Sequence, residues 1–430
     1  MDHFHYTEGS LHAEGVPLAA IADRCGTPVY VYASATLERH YRVLDEALAG
    51  LDHLICFAVK ANGNRSVLAT LAGLGAGADV VSLGELMRAR AAGIAAGRIV
   101  FSGVGKTPEE LAAALEEGIY QFNVESEAEL VMLDRIARQR GRRAPVALRV
   151  NPDVRPATHR KIATGSRETK FGIPYEEAQA LYRRAAAMSG VRIQGIDVHI
   201  GSQITELAPF AAAFGRITEL VRQLRADGIA IATIDLGGGL GVPYAREAEA
   251  PPDPAAYGAL VRKLVGDLGC RVIVEPGRLI AANAGVLVAR VVLVKETRYR
   301  RFVVLDAGMN DLMRPALYDA THEIVPVAEP AAAAPVITAD VVGPVCESSD
   351  VFLRDARLPP LAAGDLVAIR SAGAYGASMA SAYNARDLAP EVLVRGDRWA
   401  VVRARITWRD LLAHEPLAPW LDKQGGCPAQ

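Results

Sequence analysis

Cysteine is scarce in this chain, and the few cysteines follow no pairing pattern. The sequence has five, at Cys25, Cys56, Cys270, Cys346 and Cys427, and no Cys-x-x-Cys motif is among them. An odd, dispersed set argues against a disulfide framework and against a structural zinc site. We therefore expect no metal ion and a reducing, cytoplasmic location.

The sequence also lacks an excess of charge of either sign. Its formal net charge is −2 and its pI is near 6.5, so it has no basic footprint for nucleic acid or a membrane surface. The first residues, MDHFHYTEGSLHAEG, show no basic segment followed by an apolar one, which predicts no signal peptide. No apolar run reaches the ~18–20 residues that cross a bilayer. We expect neither nucleic acid nor membrane as a partner.

Between residues 50 and 280, short apolar runs alternate with Ala/Leu-rich stretches of helical periodicity. The eight runs are LICFAVK (54–60), ADVVS (78–82), IVFSG (99–103), YQFNVES (120–126), VALRVNP (146–152), GIDVHIGS (195–202), TIDLGGG (233–239) and RVIVEPGR (271–278). Near-continuous apolar strands predict a parallel sheet covered by helices, and eight of them close a (β/α)8 TIM barrel. An open doubly wound sheet is the alternative, but its GxGxxG motif is absent.

The character of the sequence changes after residue 283. β-branched runs broken by Gly, Pro and Asp replace the helical stretches, which predicts a mainly β domain. The extended TPVYVYA near the N-terminus fits that domain better than the barrel. We predict an α/β protein with an N-terminal extended segment (1–30) that joins the β domain, a cofactor-binding barrel (31–282) and a C-terminal β domain (283–430).

Polar residues and glycines end the predicted barrel strands. They are Lys60, Ser82, Asn151, His199, Ser202, Gly237, Gly238, Gly239, Glu275 and Arg278. One polar residue at a strand end is usually only solvated. The carboxyl ends of all barrel strands meet at one rim, however, and that rim carries the chemistry of such folds. The set therefore predicts an active site.

The residue types at this rim favour one cofactor. A lysine amine can form a Schiff base with a carbonyl group, and consecutive glycines let backbone N–H groups approach a phosphate. Glu275 could pair with a protonated heterocyclic nitrogen, and His199 could stack on a flat ring, although a lone histidine is more often structural. Together these features predict a pyridoxal-phosphate site.

The sequence resembles the fold type III pyridoxal-phosphate-dependent decarboxylases, and among them those that act on diaminopimelate. The resemblance covers residues 26–410 and rests on FAVKAN, KIATG followed by KFGI, HIGSQ, GGGLGV, EPGR, DAGMNDLMRPALYDATHEI, VVGPVCESSD and GAYGASMASAYN. Any one of these motifs is weak evidence. All of them in this order are specific.

The resemblance implies roles for individual residues. Lys60 would carry the cofactor, His199 would stack on its ring and Glu275 would pair with the ring nitrogen. The full implied cofactor set is Lys60, Asp79, His199, Ser202, Gly237, Gly238, Gly239, Glu275, Gly277, Arg278 and Tyr375. The implied substrate set is Arg278, Arg314, Tyr318, Glu347 and Tyr375.

The resemblance also implies a homodimer with shared active sites. Cys346 would be the proton donor and would reach the site, with Glu347, from the second subunit. A lone cysteine is more often a buried apolar residue, but its place beside Glu347 after a Gly-Pro turn favours a functional role. We expect Cys25, Cys56, Cys270 and Cys427 to be structural.

The expected reaction is the decarboxylation of meso-diaminopimelate to L-lysine and carbon dioxide. An arginine and a tyrosine in RPALY favour a diacid substrate, because arginine binds carboxylates through two parallel hydrogen bonds. The alternatives are related decarboxylases of ornithine, arginine or carboxynorspermidine, an alanine racemase relative and a non-catalytic regulator that binds the cofactor. The stretch RPATHRKIATGSRETKFGI (155–173) is either a lid or partner-contacting loop, or a solvated face.

Overall fold

A computed structural model describes residues 2–155, 165, 170–244 and 251–421. Most of the candidate loop at 155–173 lies outside the described residues, and so does Cys427. None of the helices in these ranges combines the length and hydropathy that a membrane span needs.

The N-terminal residues form a small antiparallel sheet and then a strand of a second, larger sheet. The elements are β1 (Phe4–Thr7), β2 (Ser10–Ala13), β3 (Val16–Pro17), α1 (Leu18–Cys25) and β4 (Val29–Ala33). Strand β4 is buried along its whole length. The domain boundary predicted at residue 30 falls inside this strand. The other predicted boundary, between residues 282 and 283, remains a prediction.

A closed barrel of eight parallel strands follows. Its strands are β5 (His53–Ala58), β6 (Gly77–Val80), β7 (Ile99–Phe101), β8 (Gln121–Val124), β9 (Ala144–Asn151), β11 (Val191–Asp197), β12 (Thr233–Asp235) and β13 (Arg271–Val274). A two-residue β10 (Ile173–Pro174) pairs in parallel with the end of β9. Pairing of β13 with β5 closes the ring. The predicted (β/α)8 barrel is confirmed.

Helices cover the outside of the barrel. They are α2 (Ser34–Ala47), α3 (Arg65–Ala72), α4 (Leu83–Ala91), α5 (Pro108–Glu117), α6 (Glu127–Gln139), α7 (Tyr175–Ala187), α8 (Ala208–Ala226) and α9 (Pro254–Val265). The short α10 (Arg278–Ala281) follows β13 at the rim. Several of the helices begin at an N-cap residue that follows a strand. Ser82 and Ser126 each accept a hydrogen bond from the third residue of their helix, and Thr107 forms a capping box with Glu110. These caps help to start each helix directly above the rim.

The C-terminal part is mainly β, as predicted. Its elements are β14 (Gly285–Glu296), β15 (Arg301–Leu305), α11 (Arg314–Tyr318), β16 (Ile324–Pro326), β17 (Ile337–Val342), β18 (Val351–Leu358), β19 (Leu366–Ile369), β20 (Glu391–Arg395), β21 (Arg398–Arg403) and α12 (Trp408–Leu412). One path of the large sheet runs β18-β17-β15-β14-β4-β20-β21. Strand β4 thus lies between β14 and β20, and the N-terminal segment is part of the β domain's sheet.

Two helical glycines provide a matched test of barrel packing. A Cβ atom on Gly258 in α9 would lie 2.0 Å from the Ala47 carbonyl oxygen at the end of α2, whereas one on Gly215 in α8 would meet no atom within 4 Å. We expect Gly258→Ala to destabilise the protein by about 1–3 kcal/mol through overpacking. Gly215→Ala should stabilise it by about 0.5–1 kcal/mol, because alanine favours a helix. Urea unfolding followed by circular dichroism measures both, and stabilisation by both variants would contradict the close approach of α2 and α9.

Candidate active site

A cavity of about 340 Å³ opens at the carboxyl ends of the barrel strands. It is lined by most of the predicted cofactor residues and by one predicted substrate residue of α11. These are Lys60, His199, Ser202, Gly237, Gly238, Gly239, Glu275, Gly277, Arg278, Tyr318 and Tyr375. The rim residues that are far apart in sequence are therefore close in space.

Lys60 lies in a single 3-10 turn, Val59–Ala61, directly after β5. Its Nζ donates a 2.6 Å hydrogen bond to Oδ2 of the fully buried Asp79 on the neighbouring strand β6. Burial acts to lower the pKa of Lys60, but the charges of Asp79 and Glu275 outweigh it, and the pKa is raised. Asp79 thus holds the amine of Lys60 as a cation at the carboxyl end of β5.

Glu275 follows β13 and forms the acidic end of the cavity. Its Oε1 accepts hydrogen bonds from Ser102 Oγ at 3.0 Å and from Asn123 Nδ2 at 3.2 Å. Asn123 Nδ2 also donates to Asp235. Burial, followed by the charges of Asp235 and Asp79, raises the pKa of Glu275 well above its ordinary value. A cation placed beside this carboxyl group would hold it ionised.

The backbone conformation after β12 explains why glycines occupy these positions. Gly237 and Gly239 have φ angles of 63° and 118°, in the region that favours glycine. A Cβ atom on Gly238 would lie 2.3 Å from the Glu275 carbonyl oxygen. The N–H of Gly238 donates to His199 Nδ1 at 3.2 Å, which places the histidine proton on Nε2. Burial, with the charges of Arg149 and Lys60, keeps the pKa of His199 well below its usual value, so the ring is neutral.

Arg278 begins α10 and links the barrel to the β domain. Its guanidinium donates to Ser202 Oγ at 3.1 Å and to the hydroxyl of Tyr244, and its carbon lies 4.9 Å from the centre of the Tyr375 ring. Tyr375 has a φ of 56°, a strained conformation for a non-glycine residue, and its N–H donates to the Ala61 carbonyl at 2.8 Å.

The segment that contains Tyr375 is bonded to the lysine turn at further points. Asn62 Nδ2 donates to the Gly373 carbonyl at 2.9 Å, and Ser378 Oγ donates to the Ala61 carbonyl at 3.3 Å. A piece of the β domain therefore forms part of the wall of a barrel site.

Arg314 does not line the cavity but lies one layer behind it. Its guanidinium carbon is 4.1 Å from the centre of the Tyr244 ring, and the carbon of Arg278 is 5.5 Å from the centre of the same ring. Arg314 is 4% exposed and Arg278 is 6% exposed. Within the described ranges, the two guanidiniums have side-chain hydrogen bonds with Ser202, Tyr244 and His322, and none of these partners is a carboxylate.

Cys346 and Glu347 lie outside the cavity of their own chain and are exposed. Their loop is nevertheless well held. The carboxylate of Asp350 accepts hydrogen bonds from the N–H groups of Val345 at 2.7 Å and Met309 at 2.6 Å, and Asn384 accepts one from the Cys346 N–H at 3.1 Å. The structure therefore presents the cysteine on a fixed surface loop.

Several polar residues of the site had no place in the sequence-based prediction. They are Ser102, Asn123, Asp197, Asp235, Tyr244 and His322. Asn123 and Asp235 had a signal that could have found them, because each is a polar residue inside a short apolar strand. His322 lies within the motif DAGMNDLMRPALYDATHEI, but the resemblance assigned it no role, and Tyr244 had no signal.

The sequence and fold match known proteins over almost the whole chain. The family model described as pyridoxal-dependent decarboxylase, pyridoxal binding domain, matches residues 34–282. The diaminopimelate decarboxylases of Zymomonas mobilis and Pseudomonas aeruginosa are each 51% identical to this chain. Each match covers 97% of this chain, together with 99% of the Zymomonas protein and 100% of the Pseudomonas protein. The crystal structure of diaminopimelate decarboxylase from M. jannaschii in co-complex with L-lysine has a TM-score of 0.93 at 37% identity, over 98% of this chain and 99% of that one. The chain belongs to the diaminopimelate decarboxylase family.

Membership of the diaminopimelate decarboxylase family makes the protein a pyridoxal-phosphate-dependent decarboxylase, as predicted, and the residues of the cavity fit that cofactor. Nε of Arg278 is buried and has no hydrogen-bond partner among the described residues, so a donor is left for an anionic group such as a phosphate. Glu275 supplies a carboxylate for a protonated ring nitrogen, and Lys60 supplies a primary amine for the aldehyde. The individual roles of the site residues stay predictions.

The assignment of the anchoring lysine can be tested directly. Treating the pyridoxal-phosphate-loaded protein with borohydride should attach the cofactor permanently to Lys60, because its amine lines the cavity. Lys106 is a natural comparison, since its Nζ is buried and bonded to Glu129 at 2.7 Å. Peptide mapping by mass spectrometry locates the label, and Lys60→Ala should remain unlabelled. A label on Lys106, Lys161 or Lys170 would refute the assignment.

Proposed function

We propose that the protein decarboxylates meso-2,6-diaminopimelate to L-lysine and carbon dioxide. The observation that carries this proposal is the pair of buried guanidinium groups, Arg278 and Arg314, beside a cavity that also holds Lys60 and Glu275. Buried cations without a carboxylate partner are costly, and a substrate carboxylate would offset that cost. A diacid that loses one carboxylate at the cofactor still has a second one for these arginines.

The alternative substrates fit this arrangement less well. Ornithine and arginine each have one carboxylate, which is the one that leaves, and a cationic group at the remote end. That group would then face Arg278 and Arg314 with like charge. Carbon dioxide release from meso-diaminopimelate, compared with release from ornithine, arginine and lysine, tests the proposal. Equal or faster release from ornithine would overturn it.

The residues of the site have separate roles in the proposed reaction. When bound, pyridoxal phosphate accepts the electron pair that is left when the bond to the carboxylate breaks. Lys60 anchors the cofactor and, when freed, its amine is held as a cation by Asp79. Glu275 keeps the ring nitrogen protonated, and the neutral His199 can pack on the ring without adding charge.

We propose that the proton donor is Cys346 of a second subunit in a homodimer. Cys346 is exposed and does not line the cavity of its own chain, although its loop is fixed by Asp350 and Asn384. A donor on a surface loop can act on a neighbouring subunit. Glu347 is beside it, is also exposed and would bind the ammonium group of the substrate in the same shared site.

The proposed location is the cytoplasm. Cys25, Cys56, Cys270 and Cys346 are all free thiols in the described part of the chain. Free thiols persist in a reducing compartment, where disulfides are rare.

Removing Arg314 should weaken the use of the diacid. Arg314→Ala removes one of the two buried guanidiniums, and we expect the transition state for diaminopimelate to lose roughly 2–5 kcal/mol. Arg222→Ala is a matched control, because Arg222 lies on the outer helix α8 and pairs with Asp267 at 3.1 Å. Steady-state kinetics on diaminopimelate measures both. Unchanged kinetics for Arg314→Ala would mean that this arginine is structural and that the substrate has been misread.

A shared site predicts that two inactive variants rescue each other. Mixed dimers of Lys60→Ala and Cys346→Ala subunits contain one site with both groups intact. Random pairing makes half the dimers mixed, so about a quarter of native sites should return in a symmetric dimer. A pull-down with two different tags confirms subunit exchange before activity is measured. Activity that stays at the level of the parent variants, although mixed dimers form, would show that each site is built within one chain.

A further inference from the structure

His322 is fully buried behind the substrate arginines and has two hydrogen-bond partners. Its Nε2 lies 2.7 Å from Nη1 of Arg314, and its Nδ1 lies 2.8 Å from the carbonyl oxygen of Arg370. A guanidinium only donates hydrogen bonds, and a carbonyl only accepts them. The imidazole must therefore be neutral, with its proton on Nδ1 and an acceptor lone pair on Nε2.

The surroundings of the imidazole favour this state. Burial, followed by the charge of Arg314, lowers the pKa of His322 to about 3. Arg314 and Arg278 are the charged groups that act on it, and the Tyr244 ring meets it edge-on with the ring centres 5.0 Å apart. The N–H of Arg370 donates to the Glu323 carbonyl at 2.8 Å, which anchors the segment that accepts the Nδ1 proton.

The contact leaves one edge of Arg314 without a hydrogen-bond partner among the described residues. Nη1 is engaged by His322, and the face of the guanidinium is covered by the Tyr244 ring at 4.1 Å. Nε of Arg314 is buried and has no hydrogen-bond partner among the described residues. The edge formed by Nε and Nη2 is a two-donor fork of the kind that matches a carboxylate.

We propose that His322 is a positioning residue that, as a neutral acceptor, fixes the Arg314 guanidinium beside Tyr244 and Arg278, where its charge favours the remote carboxylate of the substrate. His322 acts through Arg314 and touches no reacting atom. The inference rests on the proposed function, because it assumes a substrate that keeps a carboxylate at this end. It makes the selection of that carboxylate depend on an uncharged histidine.

The test compares two ligands that differ by this carboxylate alone. L-Lysine carries the group that remains after decarboxylation, and cadaverine is the same diamine without it. Both are titrated into the pyridoxal-phosphate-loaded protein, and binding is followed by the absorbance of the cofactor. The measured quantity is the preference for lysine over cadaverine, which a general loosening of the site would not change selectively.

Two replacements of His322 separate its two hydrogen bonds. In His322→Asn, the short amide can keep the bond to the Arg370 carbonyl but loses the acceptor for Arg314. In His322→Gln, the longer amide can place an oxygen near the former Nε2. We expect His322→Asn to reduce the preference for lysine by about 10- to 100-fold, as for a lost hydrogen bond to a charged group, and His322→Gln to keep most of it.

A double variant shows whether His322 acts through Arg314. If it does, Arg314→Ala combined with His322→Asn should lose no more of the preference than Arg314→Ala alone. An undiminished preference in His322→Asn, or additive losses in the double variant, would overturn the inference. A wild-type protein with no preference for lysine would instead refute the proposed diacid substrate.

The wild-type protein offers a measurement that requires no variant. In a sample labelled with ¹⁵N-histidine and saturated with lysine, one neutral imidazole with its proton on Nδ1 should persist down to pH 5.5. His199 does not interfere, because its Nδ1 accepts the Gly238 N–H and its proton is on Nε2. The Nδ1 atoms of His12, His40 and His53 also lie at backbone carbonyl oxygens, but these three histidines are half-buried, whereas His322 is fully buried. Absence of a persistent Nδ1–H signal would overturn the inference even if the variants failed to fold.

Discussion

Buried negative charge at the carboxyl end of the barrel is the constraint on which the rest of the site depends. Four buried carboxyl groups lie at this end of the barrel: Glu275 lines the cavity, Asp197 and Asp235 each have a carboxylate oxygen within 4.8 Å of one of Glu275, and Asp79 is bonded to Lys60. Burial and mutual repulsion raise the pKa values of Asp197, Asp235 and Glu275 well above the ordinary range. Such a cluster is unfavourable without compensating cations or protons. Lys60, bonded to Asp79, supplies one such cation, and the proposed protonated ring nitrogen of the cofactor would supply another.

The opposite side of the site carries buried positive charge, which is also unfavourable without a partner of opposite sign. Arg278 and Arg314 are buried near each other, and the pKa of Arg314 is lowered by burial, with the charge of Arg278 contributing. A molecule that places a cationic ring nitrogen at the acidic end and anionic groups at the basic end relieves both conditions. The proposed cofactor and substrate would be complementary in charge to the two ends of the site.

The sequence predicted the barrel well because its signals are local. Each strand is an apolar run, and residues such as Lys60 and Glu275 directly follow a run, so their common rim is a consequence of parallel order. The sequence of the β domain contains no local signal for the order of its strands. Strand Val29–Ala33 pairs with strands that begin at Gly285 and Glu391, and pairings over such distances leave no local pattern.

The site was predictable where its residues follow strands and unpredictable where they support other residues. Resemblance, and not local pattern, identified Arg314 and Cys346, and the structure shows that neither lines the cavity of its own chain. Tyr244 and His322 lie in connecting segments, and their importance arises from contacts with arginines 34 residues and 8 residues away in sequence. Only the folded chain brings those groups together.

The hydrogen bonds that join Gly373, Tyr375 and Ser378 to the lysine turn have a mechanical consequence. Hinge opening between the barrel and the β domain would break the bonds to Ala61 and Asn62 and would remove the Tyr375 ring from the cavity wall. These hydrogen bonds therefore oppose a separation of the two domains at the site. Any such opening would also expose the lysine turn, because its partners in the β domain would be lost.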